Sequence, residues 1–221
     1  MQRPVTDSKS SHIHSSSTSV CWKCLAPPPP DPKPKNLPEN FCGTCQSIQP
    51  PEPNASPFDL LGVPHRFQLD LHEVERQYLR LQRYLHPDYY QAKSKMEQVY
   101  AEARSSQVNR ACQVLRSPTK RAQLLLRERG VEVGEGAGTF QSDPALLMDV
   151  LEKREALEAT PSSDLVTLNR FKQDTLRELA AVYQRFSAAF DAGDLLVAQH
   201  AAIHMIYLEK LDNMISERLP L

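Results

Sequence analysis

The chain has 221 residues, a formal net charge of -1, 40 % apolar residues, seven Gly and five Cys. That is room for one or two domains with small cores, and so few glycines with few β-branched runs argue against a β-rich fold. A near-neutral charge gives no reason to expect nucleic acid as the main partner, and no apolar run approaches the ~18 residues of a membrane span.

Residues 1–20 are Ser-rich and lack an apolar stretch, so they do not form a secretory signal. Arg3 and Lys9 are offset by Asp7, which makes a poor mitochondrial transit segment; a disordered tail is expected, with His12 and His14 as tail residues.

Cys21-Trp22-Lys23-Cys24 and Cys42-Gly43-Thr44-Cys45 then form C-x2-C-x17-C-x2-C. A CxxC turn places two sulfurs on one side of a bend, and two such turns supply a tetrahedron at about 2.3 Å per ligand. The loop between them is Pro-rich and cannot build a core, so a metal must hold the module (21–46) together. One structural zinc is expected on Cys21, Cys24, Cys42 and Cys45. The alternatives are a dithiol redox pair or two chance pairs; no βαβ pattern comes after them to favour the redox reading. An odd cysteine count with paired spacing fits a reducing compartment. The basic residues here are only Lys23, Lys33 and Lys35, thin for a nucleic-acid footprint. Residues 47–55 read as a Pro-rich linker that insulates the module from the helices beyond it.

A short helix opens at Ser56-Pro57 and stops at Gly62, with Phe58, Leu60 and Leu61 facing inward. The stretch 70–90 (DLHEVERQYLRLQRYLHPDYY) carries an apolar stripe of Leu71, Val74, Tyr78, Leu81 and Leu85, with Asp70 and Glu73 as a capping box. Arg76, Arg80 and Arg83 share that spacing on the opposite face. Pro87 lacks an N–H and pushes His86 out of the α region, so the helix stops there. Ser94 and Glu97 form a second capping box, opening a helix marked by Tyr100, Ala103, Val108, Ala111, Cys112 and Leu115. Two helices of similar length joined by a short loop form an antiparallel hairpin with His86-Pro87-Asp88 at its exposed tip. Cys112 is expected to be buried, and Asn109 to make a local hydrogen bond. Ser117-Pro118 opens a fourth helix ending at Gly130, with Ala122, Leu125 and Leu126 apolar.

This order of four helices (56–130), with His86-Pro87-Asp88 after an Arg-bearing second helix, resembles a J-domain, the module that stimulates the ATPase of a heat-shock protein 70 chaperone. The resemblance implies that His86, Pro87 and Asp88 contact the chaperone, with Arg76, Arg80 and Arg83 steering the approach.

Residues 131–142 are Gly-rich and read as a linker. Helices are expected from Asp143-Pro144 to about 159, over 163–191 and over 194–219, a three-helix bundle covering 143–221. On the first, Leu146, Leu147, Met148, Val150 and Leu151 cannot all face inward, and Tyr207 sits in an apolar run too wide for one buried face. Surplus apolar surface of this kind marks a binding site.

The motifs Phe58-Asp59-Leu60-Leu61-Gly62, Leu81-Gln82-Arg83 and Arg121-Ala122 resemble the HscB family, J-type co-chaperones of iron–sulfur cluster biogenesis. Leu147-Met148-Asp149, Leu151-Glu152, Arg154-Glu155 and Tyr207-Leu208-Glu209-Lys210-Leu211 continue the match, and the four-cysteine module resembles that of the eukaryotic members. Tyr89-Tyr90 departs from the family's usual Phe. The resemblance implies an all-α co-chaperone, not an enzyme, that presents an iron–sulfur scaffold protein to a mitochondrial heat-shock protein 70. It places scaffold contacts at Leu147, Met148, Leu151 and Tyr207, with Glu152 and Glu155 as an acidic rim, and the protein in the mitochondrial matrix. It implies neither nucleic-acid nor membrane binding. The alternatives are a zinc-dependent nucleic-acid-binding or regulatory protein, and an acid–base enzyme using His86 and Asp88; no nucleophile or oxyanion donor accompanies the latter pair.

Overall fold

The computed structural model describes residues 20–27, 40–133 and 144–220. The expected disordered tail, the Pro-rich loop between the cysteine pairs, most of the Gly-rich linker and the Asp143 cap lie outside them. Seven α-helices and no strand appear among the described residues: α1 (Pro57–Leu61), α2 (Leu71–Leu85), α3 (Lys95–Arg116), α4 (Pro118–Glu128), α5 (Pro144–Ala159), α6 (Leu165–Asp191) and α7 (Leu195–Arg218). The fold is all-α, and none of these helices is long and apolar enough to cross a membrane.

The described residues fall into two compact units, one within 20–53 and 85–105, the other within 54–84 and 106–220.

In the second unit, α1 begins as its sequence dictates. The Ser56 side chain accepts from the Phe58 N–H, Pro57 fills the first turn, and Gly62 closes the helix at φ 63°. Phe58 and Leu61 are buried while Leu60 is half-buried. On α2, Val74 and Leu81 are buried, but Leu71 is exposed, which shortens the expected stripe at its first turn. The expected Asp70–Glu73 capping box also forms only in part. Asp70 accepts from the His72 N–H at 2.9 Å, whereas Glu73 accepts from Gln77 at 2.5 Å and pairs with Arg76. The antiparallel α2–α3 hairpin is tied by Gln82 donating to Asn109 at 2.6 Å and Arg116 donating to Glu75 at 3.1 Å. Asn109 therefore bonds across the hairpin rather than locally. Cys112 is buried, and burial pushes its thiol pKa up.

Helix α4 is capped by the Ser117 side chain and ends at Gly130, φ 77°. It buries Leu124 as well as Ala122, Leu125 and Leu126, because it packs on α7 too. Thr119 donates to Glu209 of α7 at 2.5 Å. The guanidinium of buried Arg121 lies over the Phe67 ring, which itself packs against Phe186 of α6.

Helices α6 and α7 form a long antiparallel pair turned at Gly193, φ 78°. Each takes its cap from an Asp, Asp164 accepting from the Thr167 N–H and Asp194 from the Val197 N–H. The first bundle helix, α5, is anchored through Leu157, which is fully buried with Leu168, Leu211 and Ile215. The guanidinium of Arg218 donates to the carbonyls of Leu157 and Thr160, satisfying the last turn of α5.

Candidate functional site

Helix α2 ends where Pro87 dictates. His86 is extended (φ -62°, ψ 126°), and a short 3-10 turn runs Pro87–Tyr90. The His86 ring accepts from the Asp88 N–H at 3.4 Å, and the two side chains approach at 3.4 Å. His86, Pro87, Asp88 and Tyr89 are exposed, whereas Tyr90 is buried. Of the two tyrosines, Tyr90 is therefore the structural one, its hydroxyl pKa raised by burial and the Glu97 carboxylate. The turn is held to α3 by Gln98, which donates to the carbonyls of Gln91 and Lys93 at 3.1 Å each. The Ser94–Glu97 capping box is complete: the Ser94 N–H and hydroxyl donate to Glu97 at 3.2 and 2.7 Å, and the Glu97 N–H donates back at 3.4 Å. Arg76, Arg80 and Arg83 are all exposed on α2. Arg76 spends its charge on Glu73, while Arg80 and Arg83 have no ion-pair partner among the described residues.

The same compact unit contains the four cysteines. Their sulfurs all lie within 4.8 Å of one another. Cys21 Sγ to Cys45 Sγ is 3.7 Å, as is Cys24 Sγ to Cys42 Sγ. A tetrahedron with ligands at 2.3 Å has edges of roughly 3.8 Å, so the four thiols fit one metal ion.

The two turns repeat one design. Lys23 N–H donates to Cys21 Sγ and Thr44 N–H to Cys42 Sγ, both at 3.4 Å. Leu25 N–H donates to the Cys21 carbonyl and Gln46 N–H to the Cys42 carbonyl, both at 2.9 Å. Leu25 and Gln46, each four residues past the first cysteine of its pair, take φ of 60° and 56°. Backbone donors aimed at sulfur favour thiolate, the form a metal binds. Burial alone raises the Cys21 pKa, but N–H groups of Cys24 and Lys23 with Ser47 and Gln49 outweigh it and hold the thiol at about 5. Cys24 goes the other way: the Ala26 N–H favours its thiolate, but burial and the sulfurs of Cys45, Cys21 and Cys42 push it to about 12. Four thiols so close cannot all ionise without a cation among them.

Sequence reasoning missed the residues that fasten this module to α3. Arg104 is 5 % exposed; it donates to the carbonyl of Gln49 at 3.0 Å, the carbonyl of Pro50 at 2.5 Å and the side chain of Asn40 at 2.7 Å. Lys23 pairs with Glu97 at 3.0 Å. Trp22 packs edge-on against Tyr100 and donates to the Ile48 carbonyl at 2.7 Å. Residues 49 and 50, expected to be free spacer, are thus fixed in place. A signal was present: Glu97 and Arg104 stand in register with Ala101 and Val108 on the buried stripe of α3, where a charge needs a partner.

In the bundle, α5 sorts its apolar residues as its pattern demands. Leu157 is buried and Leu146 and Val150 half-buried, while Leu147, Met148 and Leu151 are 39 %, 57 % and 49 % exposed. Glu152 and Glu155 are exposed on the same helix, and Tyr207 on α7 is half-buried. Asp149, Glu178 and His204 also approach one another, but the Lys153 ammonium sits among them, 2.6 Å from Asp149 and 2.7 Å from Glu178. A cation there would have to displace Lys153.

The DnaJ domain model matches residues 56–124, and the HSCB C-terminal oligomerisation domain model matches residues 142–216. An iron–sulfur cluster co-chaperone protein HscB homolog of Arabidopsis thaliana is 31 % identical over 93 % of this chain and 76 % of its own length. The chain belongs to the HscB family. The Mus musculus HscB protein is 28 % identical over 80 % of this chain and 74 % of its own. The crystal structure of human HscB superposes with a TM-score of 0.82 at 25 % identity, covering 92 % of this chain and all of that one. The protein is therefore a J-type co-chaperone of the HscB family, with a J-domain, a helical bundle and a four-cysteine group suited to zinc.

Proposed function

We propose that this HscB-family protein binds an iron–sulfur scaffold protein through its C-terminal bundle and presents it to a mitochondrial heat-shock protein 70. The J-domain then stimulates the partner's ATPase to promote cluster transfer. The observation that carries this reading is the exposed His86-Pro87-Asp88 turn at the end of a helix whose Arg80 and Arg83 have no ion-pair partner among the described residues.

The turn offers a chaperone three things. The Asp88 carboxylate can accept a charge-assisted bond from a partner cation. The His86 ring accepts from the Asp88 N–H, which fixes the backbone of the turn that displays the carboxylate. Arg80 and Arg83 steer an acidic partner surface toward the corner, and Arg76, tied to Glu73, adds less. The scaffold contact is assigned to Leu147, Met148 and Leu151 of α5 and to half-buried Tyr207 of α7, with Glu152 and Glu155 as the charged rim. Exposed apolar side chains with carboxylates beside them on the same helix support that assignment.

Cys21, Cys24, Cys42 and Cys45 would hold one structural zinc, which supplies the cross-link that the short turns lack. The protein performs no catalysis of its own in this reading, and it acts in the mitochondrial matrix. Steady-state ATPase of a mitochondrial heat-shock protein 70 with scaffold protein, in the presence and absence of this chain, tests the proposal. Stimulation that requires His86 is the expected result; none at any concentration would remove it.

A further inference from the structure

Three side-chain contacts join the four-cysteine module to one face of α3. They come from both halves of the module. Trp22 and Lys23, inside the first cysteine turn, meet Tyr100 and Glu97. Asn40, Gln49 and Pro50, flanking the second turn, meet Arg104. Residues 97, 100 and 104 have helical spacing, so the module lies along two turns of α3.

The acceptors of Arg104 converge only while the second turn is closed. Gln49 N–H donates to the Asn40 carbonyl at 2.9 Å, and Phe41 bridges Ile48 as an isolated antiparallel pair. These pairings bring residue 40 beside residues 49 and 50 around the loop that carries Cys42 and Cys45. The loop's apolar core is small: among its described residues only Phe41, Cys42, Ser47 and Ile48 are buried. When the thiols lose their metal, the cross-link between the two turns is gone and both can open. The three acceptors then separate and leave a buried guanidinium without its hydrogen bonds, with only the attraction of the Glu52 carboxylate to offset their loss, which is strongly unfavourable. The first turns of α3 must loosen to rehydrate it.

That disturbance reaches the chaperone corner. Gln98 holds the carbonyls of Gln91 and Lys93, and Glu97 caps α3 through Ser94. Both belong to the same two turns of helix. We infer that Arg104 is a positioning residue through which metal occupancy of the four-thiol site controls the order of the first turns of α3, to which Gln98 ties the segment that follows His86-Pro87-Asp88. The module is then a metal-dependent clamp on the J-domain tip. The inference deepens the proposed function and rests on its readings of the four thiols and of the corner.

The test is hydrogen exchange by mass spectrometry on the full chain, metal-loaded and after chelation under reducing conditions. In the unsubstituted protein, stripping the metal should speed exchange over residues 91–105 by about ten-fold or more, with α6 and α7 unchanged. Arg104→Gln keeps all four cysteines and should retain its metal, yet residues 91–105 should exchange fast already, and stripping should add little. Arg104→Lys keeps the charge without the three-way fork and should lie between. Unchanged exchange on stripping a verified metal from the unsubstituted protein would overturn the clamp, as would an Arg104→Gln protein that responds to stripping as fully as its parent. If Arg104→Gln fails to fold, the comparison in the unsubstituted protein still decides, with Lys23→Ala expected to weaken its metal response. Absence of stoichiometric metal would defeat the metal reading instead, and normal ATPase stimulation by folded His86→Gln the corner reading. These failures are distinguishable.

Discussion

Lys153 of α5 lies 2.7 Å from Glu178 of α6, and Asp149 one turn earlier joins it at 2.6 Å. This cluster fixes which way α5 faces. At 100° per residue, Lys153 lies on the opposite side of the helix from Leu147, Met148 and Leu151. Ala substitutions at those three should therefore leave stability nearly unchanged, within about 1 kcal/mol in total, because exposed side chains lose little burial. Binding of an iron–sulfur scaffold protein should weaken by about 2 kcal/mol or more. Leu157→Ala, in contrast, should destabilise by about 2–5 kcal/mol. Denaturant unfolding and calorimetric titration separate the two effects. A large drop in the midpoint for the triple variant would remove the client surface from α5.

His86→Gln should abolish ATPase stimulation of a heat-shock protein 70 while circular dichroism and the melting midpoint stay put. The side chain is exposed and closes no core. Arg80→Glu and Arg83→Glu should instead slow docking and flatten its salt dependence, since they act through long-range attraction. Full stimulation by a folded His86→Gln protein would end the corner's assignment.

The helices were legible because their signals are local. Ser56-Pro57, Ser117-Pro118, Gly62, Gly130 and Gly193 each mark a terminus by side-chain or backbone chemistry within a few residues. The surplus of apolar residues on α5 likewise foretold that Leu146, Leu147, Met148, Val150 and Leu151 could not all be buried, but not which of them would be exposed. What escaped were the long-range polar contacts. Arg104 and Asn40 are 64 residues apart, and Lys23 and Glu97 are 74 apart. Nothing in the spacing of either pair says that they meet. The capping role of Glu97 was readable from Ser94, but its second oxygen's partner was not. Asn109 misled for the same reason, since its partner Gln82 is 27 residues away on α2.

His65 bridges α1 and α4. Its Nε2 is 2.9 Å from Asp59 and its Nδ1 3.2 Å from Glu128. Burial disfavours the charged ring, but the two carboxylates outweigh it and raise its pKa above the usual 6.5. A raised pKa in the folded state means that the contribution is fully present below the unfolded value and fades as pH climbs through the folded one. As pH rises above 6.5 and through the folded value the tether should weaken, modestly because the ring is partly exposed. His204 has the opposite sign: burial lowers its pKa despite Glu178, so its neutral form is favoured and stability falls as pH drops below 6.5. Ring-proton NMR titration should show His65 titrating above a free histidine and His204 below it. Identical midpoints for the two would contradict both environments.

Elemental analysis of protein purified under reducing conditions should find one zinc per chain. A second ion at Asp149, Glu178 and His204 is not expected, because the Lys153 ammonium already bonds both carboxylates there. Cys21→Ser or Cys42→Ser should lose the metal, since each removes a thiolate that receives a backbone N–H. The loss should register in Trp22 fluorescence, because that ring donates to Ile48 and packs on Tyr100 only while the first cysteine turn is closed. Metal-free protein with an unchanged Trp22 spectrum would mean that the cysteine turns hold their shape unaided. Iron in place of zinc would revise the metal but not the site, because four thiolates accept either. Zinc that survives either cysteine substitution at full stoichiometry would place it elsewhere in the chain.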